Sequence, residues 1–110
     1  MIRDTISEIE AKLKNSSSIS PEAKRELTEL LARLKGEVTE LARTDADQAR
    51  SIESFAQAST HEATRSEKNE ELLKLSISGL SASVDGFEKS HPQLVQVVNR
   101  ISTMLSNLGI

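Results

Sequence analysis

The strongest constraint on the fold is a run of apolar residues at helical spacing in the N-terminal half of the chain. Leu27, Leu31, Leu34, Val38 and Leu41 follow one another at alternating intervals of four and three residues. Residues at these intervals lie on one face of an α-helix, whereas on a strand they would be divided between two faces. The run therefore predicts a helix with a continuous apolar stripe.

The same spacing recurs in three other segments of the chain. We predict helices over about residues 2–14, 21–61, 66–88 and 91–108, which together form a single domain over residues 1–110. Their apolar stripes make up a predicted interaction seam, through which the helices pair. Besides the five residues above, the seam consists of Ile6, Ile9, Leu13, Leu73, Ile77, Leu80, Val84, Phe87, Leu94, Val98, Ile101, Leu105 and Leu108.

Few residues in the chain favour the turns that a sheet protein needs. Only four of the 110 residues are Gly and two are Pro, too few for the many turns of an all-β fold. We therefore expect an all-α fold, an antiparallel helical hairpin or coiled-coil bundle of three to four helices. A helix over residues 21–61 would be about 60 Å long. Since a small monomer covers such a helix poorly, we expect a homo-oligomer, a dimer or a tetramer.

The weakest part of this pattern lies in residues 44–69. Ile52 and Phe55 are the large apolar residues early in this segment, and the other candidate core positions are alanines, which bury little area. Two alternatives remain open. The segment is either part of one continuous helix or a partly disordered stretch that orders on assembly.

A turn signal precedes the last predicted helix, in the sequence FEKSHPQL. Ser90 and Gln93 have the spacing of a capping box, and Pro92 disfavours helical geometry at His91. We interpret Ser90, Pro92 and Gln93 as the turn and helix cap. His91 could act as an acid, a base or a ligand, but the chain has no cysteine and its other histidine, His61, is thirty positions away.

The sequence gives no pattern typical of an active site or a cofactor site. The segment HEATR begins like a zinc-protease helix, but Arg65 stands where the second histidine is required. We find no glycine-rich phosphate loop, and the serines at positions 16–18 have no nearby base. We therefore expect no catalytic, metal or cofactor-binding residues, and a protein that is not an enzyme.

Charge and hydropathy exclude two classes of partner. The net charge is −3, with acidic and basic residues interspersed, unlike the basic surface of a nucleic-acid-binding protein. No run approaches the roughly 18 apolar residues of a membrane span, and the charged N-terminus does not resemble a signal peptide. We expect no nucleic-acid partner and no stable membrane insertion, and a cytoplasmic location.

The C-terminal sequence resembles a family of short bacterial helical proteins known as domain of unknown function family 4404. The segments GFEKSHPQL and LSNLGI are similar to the family's Phe-Glu, Ser-His-Pro and Gly-Ile pattern, and SPEAKRELTELLARL resembles its second segment. The family's first helix has a Leu-His-x-Glu-Leu pattern, for which this chain has IEAKL, without the histidine. The resemblance implies a bacterial all-helical protein and no established activity, cofactor or catalytic residue.

Three hypotheses for function follow. The first is a non-catalytic structural or interaction protein that associates with itself through the seam. The second is an adaptor or small chaperone that binds an amphipathic helix of another protein. The third is a regulator that acts at a membrane surface.

Overall fold

The chain folds into five α-helices within residues 5–17 and 19–108, which are the residues that the computed structural model describes. The helices are α1 (Thr5–Lys14), α2 (Pro21–Ala42), α3 (Ala46–Thr64), α4 (Glu70–Ala82) and α5 (Pro92–Leu108). These residues contain no strand, so the all-α class is confirmed. The described residues form five helices rather than the predicted three or four. The predicted start of the first helix, at residue 2, lies outside the described residues.

The helix predicted over residues 21–61 is divided into α2 and α3 by a tight turn. The amides of Thr44 and Asp45 both donate to the carbonyl of Leu41, and the Asp45 carboxylate accepts from the Gln48 amide at 3.0 Å. An aspartate at this position satisfies an amide that the first helical turn leaves unpaired. The chain can therefore change direction here without Gly or Pro. The molecule measures 37 Å along its longest axis, too short for an unbroken helix of about 60 Å.

A second break separates α3 from α4 at residues 65–69. The Asn69 side chain accepts from the Leu72 amide at 3.0 Å and caps the start of α4. The Lys68 ammonium donates to the carbonyls of Ala63 and Leu108 and so joins the C-terminal ends of α3 and α5. The helix predicted over residues 66–88 is confined to Glu70–Ala82, since turns occupy most of the chain from there to α5.

The four helices α2 to α5 pack as a ring. Each contacts the next in sequence, α5 returns to contact α2, and α3 and α5 also touch across the centre. α1 packs against α2 and α3 on the outside of this ring. The hydrogen bond from Gln48 to the carbonyl of Ser83 shows that the start of α3 lies beside the end of α4, so these two helices are antiparallel.

The core takes up most of the predicted seam. Fifteen of the seam positions are buried, and Ile77, Phe87 and Leu108 are half-buried. The segment over residues 44–69 joins the core through α3, whose small side chains allow close packing. Buried apolar residues outside the seam are Ile19, Leu30, Ala49, Ile52, Ala56, Ala63 and Val97.

The turn before α5 differs from the expected capping box. α5 begins at Pro92, and the His91 carbonyl accepts from the Val95 amide at 3.3 Å. The Ser90 hydroxyl lies 3.0 Å from Nδ1 of His91 and does not bond to the Gln93 amide. Proline is well suited to the first helical position because its missing N–H would be unpaired there. Pro92 therefore begins α5 without a capping hydrogen bond from Ser90.

Candidate interaction surfaces

An apolar surface remains exposed where α3 and α4 lie side by side. Phe55 on α3 is 39% exposed, and Leu72 and Leu75 on α4 are 42% and 61% exposed. Leu72, Leu75 and Gly79 are three and four residues apart, so they lie on one face of α4. We call Phe55, Leu72 and Leu75 the α3–α4 patch. It contains all the large apolar residues of the described chain that are exposed.

Phe55 lies at this surface because Gly79, which has no side chain, leaves room for its ring against α4. Its ring occupies the space beside Gly79, where an added Cβ would overlap the ring and lie 2.9 Å from Cζ. Gln48, in the first turn of α3, joins this helix to the end of α4, because its side-chain amide donates to the Ser83 carbonyl at 2.5 Å. Two turns after Phe55 on the same face of α3, Glu62 pairs with Arg65 at 2.9 Å. Polar contacts therefore lie on α3 to either side of Phe55.

A second surface is the α2–α5 groove, between two helices that run along the other side of the ring. Its main part has a volume of about 650 Å³, and a depression of about 250 Å³ adjoins it at Gln96. Four charged residues line these two parts, Glu26, Arg33, Glu37 and Arg100. The described residues provide none of the four with an oppositely charged group within 4.0 Å. The other lining residues are Ala23, Leu30, Gln93, Val97, Asn99, Thr103, Met104, Asn107 and Leu108.

A third groove, between α2 and α3, is filled by α1. The apolar residues of α1, Ile6, Ile9 and Leu13, are each at most 3% exposed. At the edges of the groove, Lys35 donates to the Ser7 hydroxyl at 3.2 Å, and Lys12 lies 2.6 Å from Nδ1 of His61. We call this surface the α2–α3 groove.

A comparison with protein families shows to which family the chain belongs. The family model described as domain of unknown function (DUF4404) matches residues 27–110. The chain belongs to this family. The resemblance found in the sequence is thereby confirmed. No curated protein and no solved structure matches the chain.

The DUF4404 match includes most of α2 and all of α3, α4 and α5. The α3–α4 patch therefore lies entirely within it, as do all residues of the α2–α5 groove except Ala23 and Glu26. α1 lies outside the matched residues.

The two histidines of this DUF4404 protein lie in different surroundings. His61 contacts Lys12 of α1. His91 contacts the hydroxyl of Ser90 and the ring of Phe87, whose centroid is 5.7 Å away at an interplanar angle of 72°. Within residues 5–17 and 19–108, no group of three or more His, Cys, Asp or Glu side chains could hold a metal ion. The geometry around His91 is that of a packed turn.

In the described part of this DUF4404 protein, the buried hydroxyls of Thr60 and Ser102 have no hydrogen-bond partner, which is costly for a buried polar group. In the same residues, no helix combines the length and the apolar character required to cross a membrane.

The seam and the exposed surfaces of the DUF4404 protein are largely different residues. The predicted seam is mostly buried, and of its members only Leu108 lines the α2–α5 groove. None belongs to the α3–α4 patch. A sequence signal for the patch does exist, because Leu72, Leu73 and Leu75 fall within one helical turn and cannot all face the same core. Of these three, the fold buries Leu73.

Proposed function

We propose that this DUF4404 protein is a non-catalytic protein-interaction module that associates with itself through the α3–α4 patch. The observation that supports this proposal is the exposure of Phe55, Leu72 and Leu75 on one surface, while the seam is used within the chain. Contiguous apolar surface rimmed by polar residues is typical of protein interaction sites.

The position of the patch favours pairing between two copies. Leu72 and Leu75 project from one face of a regular helix, and the same face of a second copy offers the same leucines around a two-fold axis. Most soluble oligomers have such closed symmetry, in which identical surfaces meet. Charged residues close to the leucines, Glu71 and Lys74, provide both signs of charge at the rim. This surface can therefore complement itself.

The size of the patch determines the expected strength of association. Three partly exposed side chains supply an apolar area of a few hundred Å², below the roughly 800 Å² per partner of a standard stable interface. The proposed dimer therefore forms reversibly, and its population falls on dilution.

The test is the solution mass of the wild-type chain by size-exclusion chromatography with light scattering, from high to low micromolar concentration. We expect a mass that falls on dilution from about 24 kDa, twice the mass of one chain, toward 12.1 kDa. Leu75→Glu should give 12.1 kDa throughout. The control is Gln57→Glu, which adds the same side chain about 200° around α3 from Phe55 and should associate like wild type. Association of Leu75→Glu at wild-type strength would refute the proposal.

A second candidate function is an adaptor that binds an amphipathic helix of another protein. The α2–α5 groove supports it, because its apolar Leu30 and Val97 lie among four charged residues that have no ion-pair partner in the described chain. A docked helix with charged flanks could supply those partners. Arg100→Glu should then weaken binding of a partner isolated with the wild-type protein, without affecting the mass change that depends on Leu75.

A further inference from the structure

Leu75 divides the exposed surface of α4 into an apolar side and a polar side. Successive residues of an α-helix are about 100° apart around its axis. Leu72 and Gly79 therefore lie about 60° and 40° to one side of Leu75, and Glu71 and Ser78 lie about 40° and 60° to the other side. Leu75 itself, 61% exposed, is at the centre of this surface.

The neighbouring helix α3 adds Phe55 to the apolar side. The ring of Phe55 lies beside Gly79, where an added Cβ would overlap it, and remains 39% exposed. The polar side also carries Lys74, which is exposed like Glu71 and Ser78. The surface around Leu75 is therefore apolar toward α3 and polar on the side away from it.

A two-fold axis can join two such surfaces in two ways. If the α4 helices of the two copies are parallel, the axis runs along the helices, and the apolar side of each copy faces the polar side of the other. If the helices are antiparallel, the axis crosses them, and each side meets the same side of the second copy. In both cases the contact is reciprocal, since identical surfaces meet.

The chemistry of the two sides favours the antiparallel pair. In a parallel pair, Leu72 would lie against Glu71 of the second copy, and burial of a carboxylate against an apolar side chain is unfavourable. In an antiparallel pair, Leu72 lies against Gly79 and the Phe55 ring of the second copy, which is a favourable apolar contact. Glu71 then lies opposite Ser78, whose hydroxyl can donate a hydrogen bond to the carboxylate.

We propose that two copies of this DUF4404 protein meet with their α4 helices antiparallel, about an axis that passes close to Leu75. This inference rests on the proposed self-association and adds the arrangement of the two copies. Leu75 of each copy contacts Leu75 of the other at the axis, and Leu72 of each contacts Phe55 of the other. All three residues of the α3–α4 patch are thus covered by apolar side chains, which removes the most apolar area from water.

The test uses single cysteines, since the chain has none of its own. Glu71→Cys and Ser78→Cys are made in separate chains and leave the α3–α4 patch unchanged. The two variants are mixed, one of them labelled with a heavy nitrogen isotope, and oxidised, and the disulfide-linked dimers are identified by mass. A disulfide requires Cα atoms within about 7 Å of each other. We therefore expect the mixed disulfide to exceed either homodimeric disulfide about tenfold, whereas random collision would give an excess of about twofold.

The matched control replaces Glu71→Cys by Gln57→Cys. Gln57 is also exposed, but it lies about 200° around α3 from Phe55, on a side that the proposed arrangement leaves free. Mixed with Ser78→Cys, this variant should give no more mixed disulfide than random collision produces. Light scattering on the same samples before oxidation measures the dimer itself.

Two results would overturn the antiparallel arrangement. One is an excess of homodimeric disulfides at position 71, which would show that the α4 helices are parallel. The other is a dimer, detected by light scattering, in which Glu71→Cys forms no more mixed disulfide than Gln57→Cys. Both results leave the self-association itself in place. A wild-type mass of 12.1 kDa at every concentration would instead refute the self-association and this inference together.

Discussion

The ring of Phe55 on α3 fills the space that a side chain at Gly79 on α4 would occupy. Gly79 lies within a helix, where glycine costs about 1 kcal/mol relative to alanine. The close contact with the ring explains why glycine is accommodated there. The same contact holds Phe55 against the face of α4 that carries Leu75.

Gly79→Ala should lower the free energy of unfolding by about 1 kcal/mol, because the cost of overpacking against Phe55 exceeds the gain in helix propensity. In a Phe55→Ala background the ring is absent, and Gly79→Ala should raise the free energy of unfolding by about 1 kcal/mol. Urea unfolding of the two single variants and the double variant measures this coupling. An effect of the same sign in both backgrounds would contradict the role given to the ring.

Gly36→Ala should stabilise the chain by about 1 kcal/mol, because alanine is the better helix former. Gly36 lies in the middle of α2 and is exposed, and an added Cβ would meet nothing within 4 Å. Thermal unfolding of the variant should show a higher midpoint than wild type. A lower midpoint would mean that Gly36 has a role outside the contacts of the single chain.

Thr60→Val should raise the free energy of unfolding by about 1 kcal/mol, since it replaces a buried hydroxyl without a partner by a methyl group. The matched control is Thr64→Val on the same helix. Thr64 donates to the Thr60 carbonyl at 2.8 Å, so its substitution should cost about 0.5–1 kcal/mol. Chemical denaturation of both variants measures the difference. A loss of stability in Thr60→Val would contradict the assignment of this hydroxyl as unpaired.

Asp45→Ala should destabilise the chain by about 1 kcal/mol, because the Gln48 amide loses the acceptor that caps α3. Gln57→Ala, at an exposed position of the same helix, should change stability by less than about 0.5 kcal/mol. Urea unfolding provides the measurement. Equal stability of the two variants would mean that the turn between α2 and α3 does not depend on this cap.

Leu80→Asp should unfold the chain at room temperature, because it places a carboxylate in the apolar core where Leu80 is fully buried. Leu75→Asp makes the same chemical change on the same helix at a site 61% exposed. This variant should retain the circular dichroism spectrum of the wild type. A folded Leu80→Asp variant would contradict the packing of α4 against α3 and α5.

The spacing of the large apolar residues was sufficient to predict the all-α class and most of the core, but not where each helix ends. Leu27, Leu31 and Leu34 are fully buried, because a stripe at this spacing has one face that must leave water, whatever it packs against. The surface that covers each stripe could not be predicted from this spacing. Leu80 and Val84 of the seam are covered within the chain, whereas the sequence pattern predicts that an oligomer covers the seam.

The division between α2 and α3 depended on information that the apolar pattern does not contain. The Asp45 carboxylate caps the start of α3 through one hydrogen bond, and an aspartate in a polar run is equally typical of a helix surface. Alanine also conceals burial, because Ala56 is fully buried in α3 although its side chain contributes little to a hydropathy pattern. The exposed patch required the positions of α3 and α4, since Phe55 could have faced the core.

The ammonium group of Lys68 lies between the carbonyls of Ala63 and Leu108, near the final residues of α3 and α5. Each of these helix ends has a partial negative charge of about half an electron, and the two charges would repel each other if left alone. A single positive charge between them offsets most of this repulsion. Acetylation of Lys68 would remove that charge and would loosen this end of the molecule without altering a single core residue.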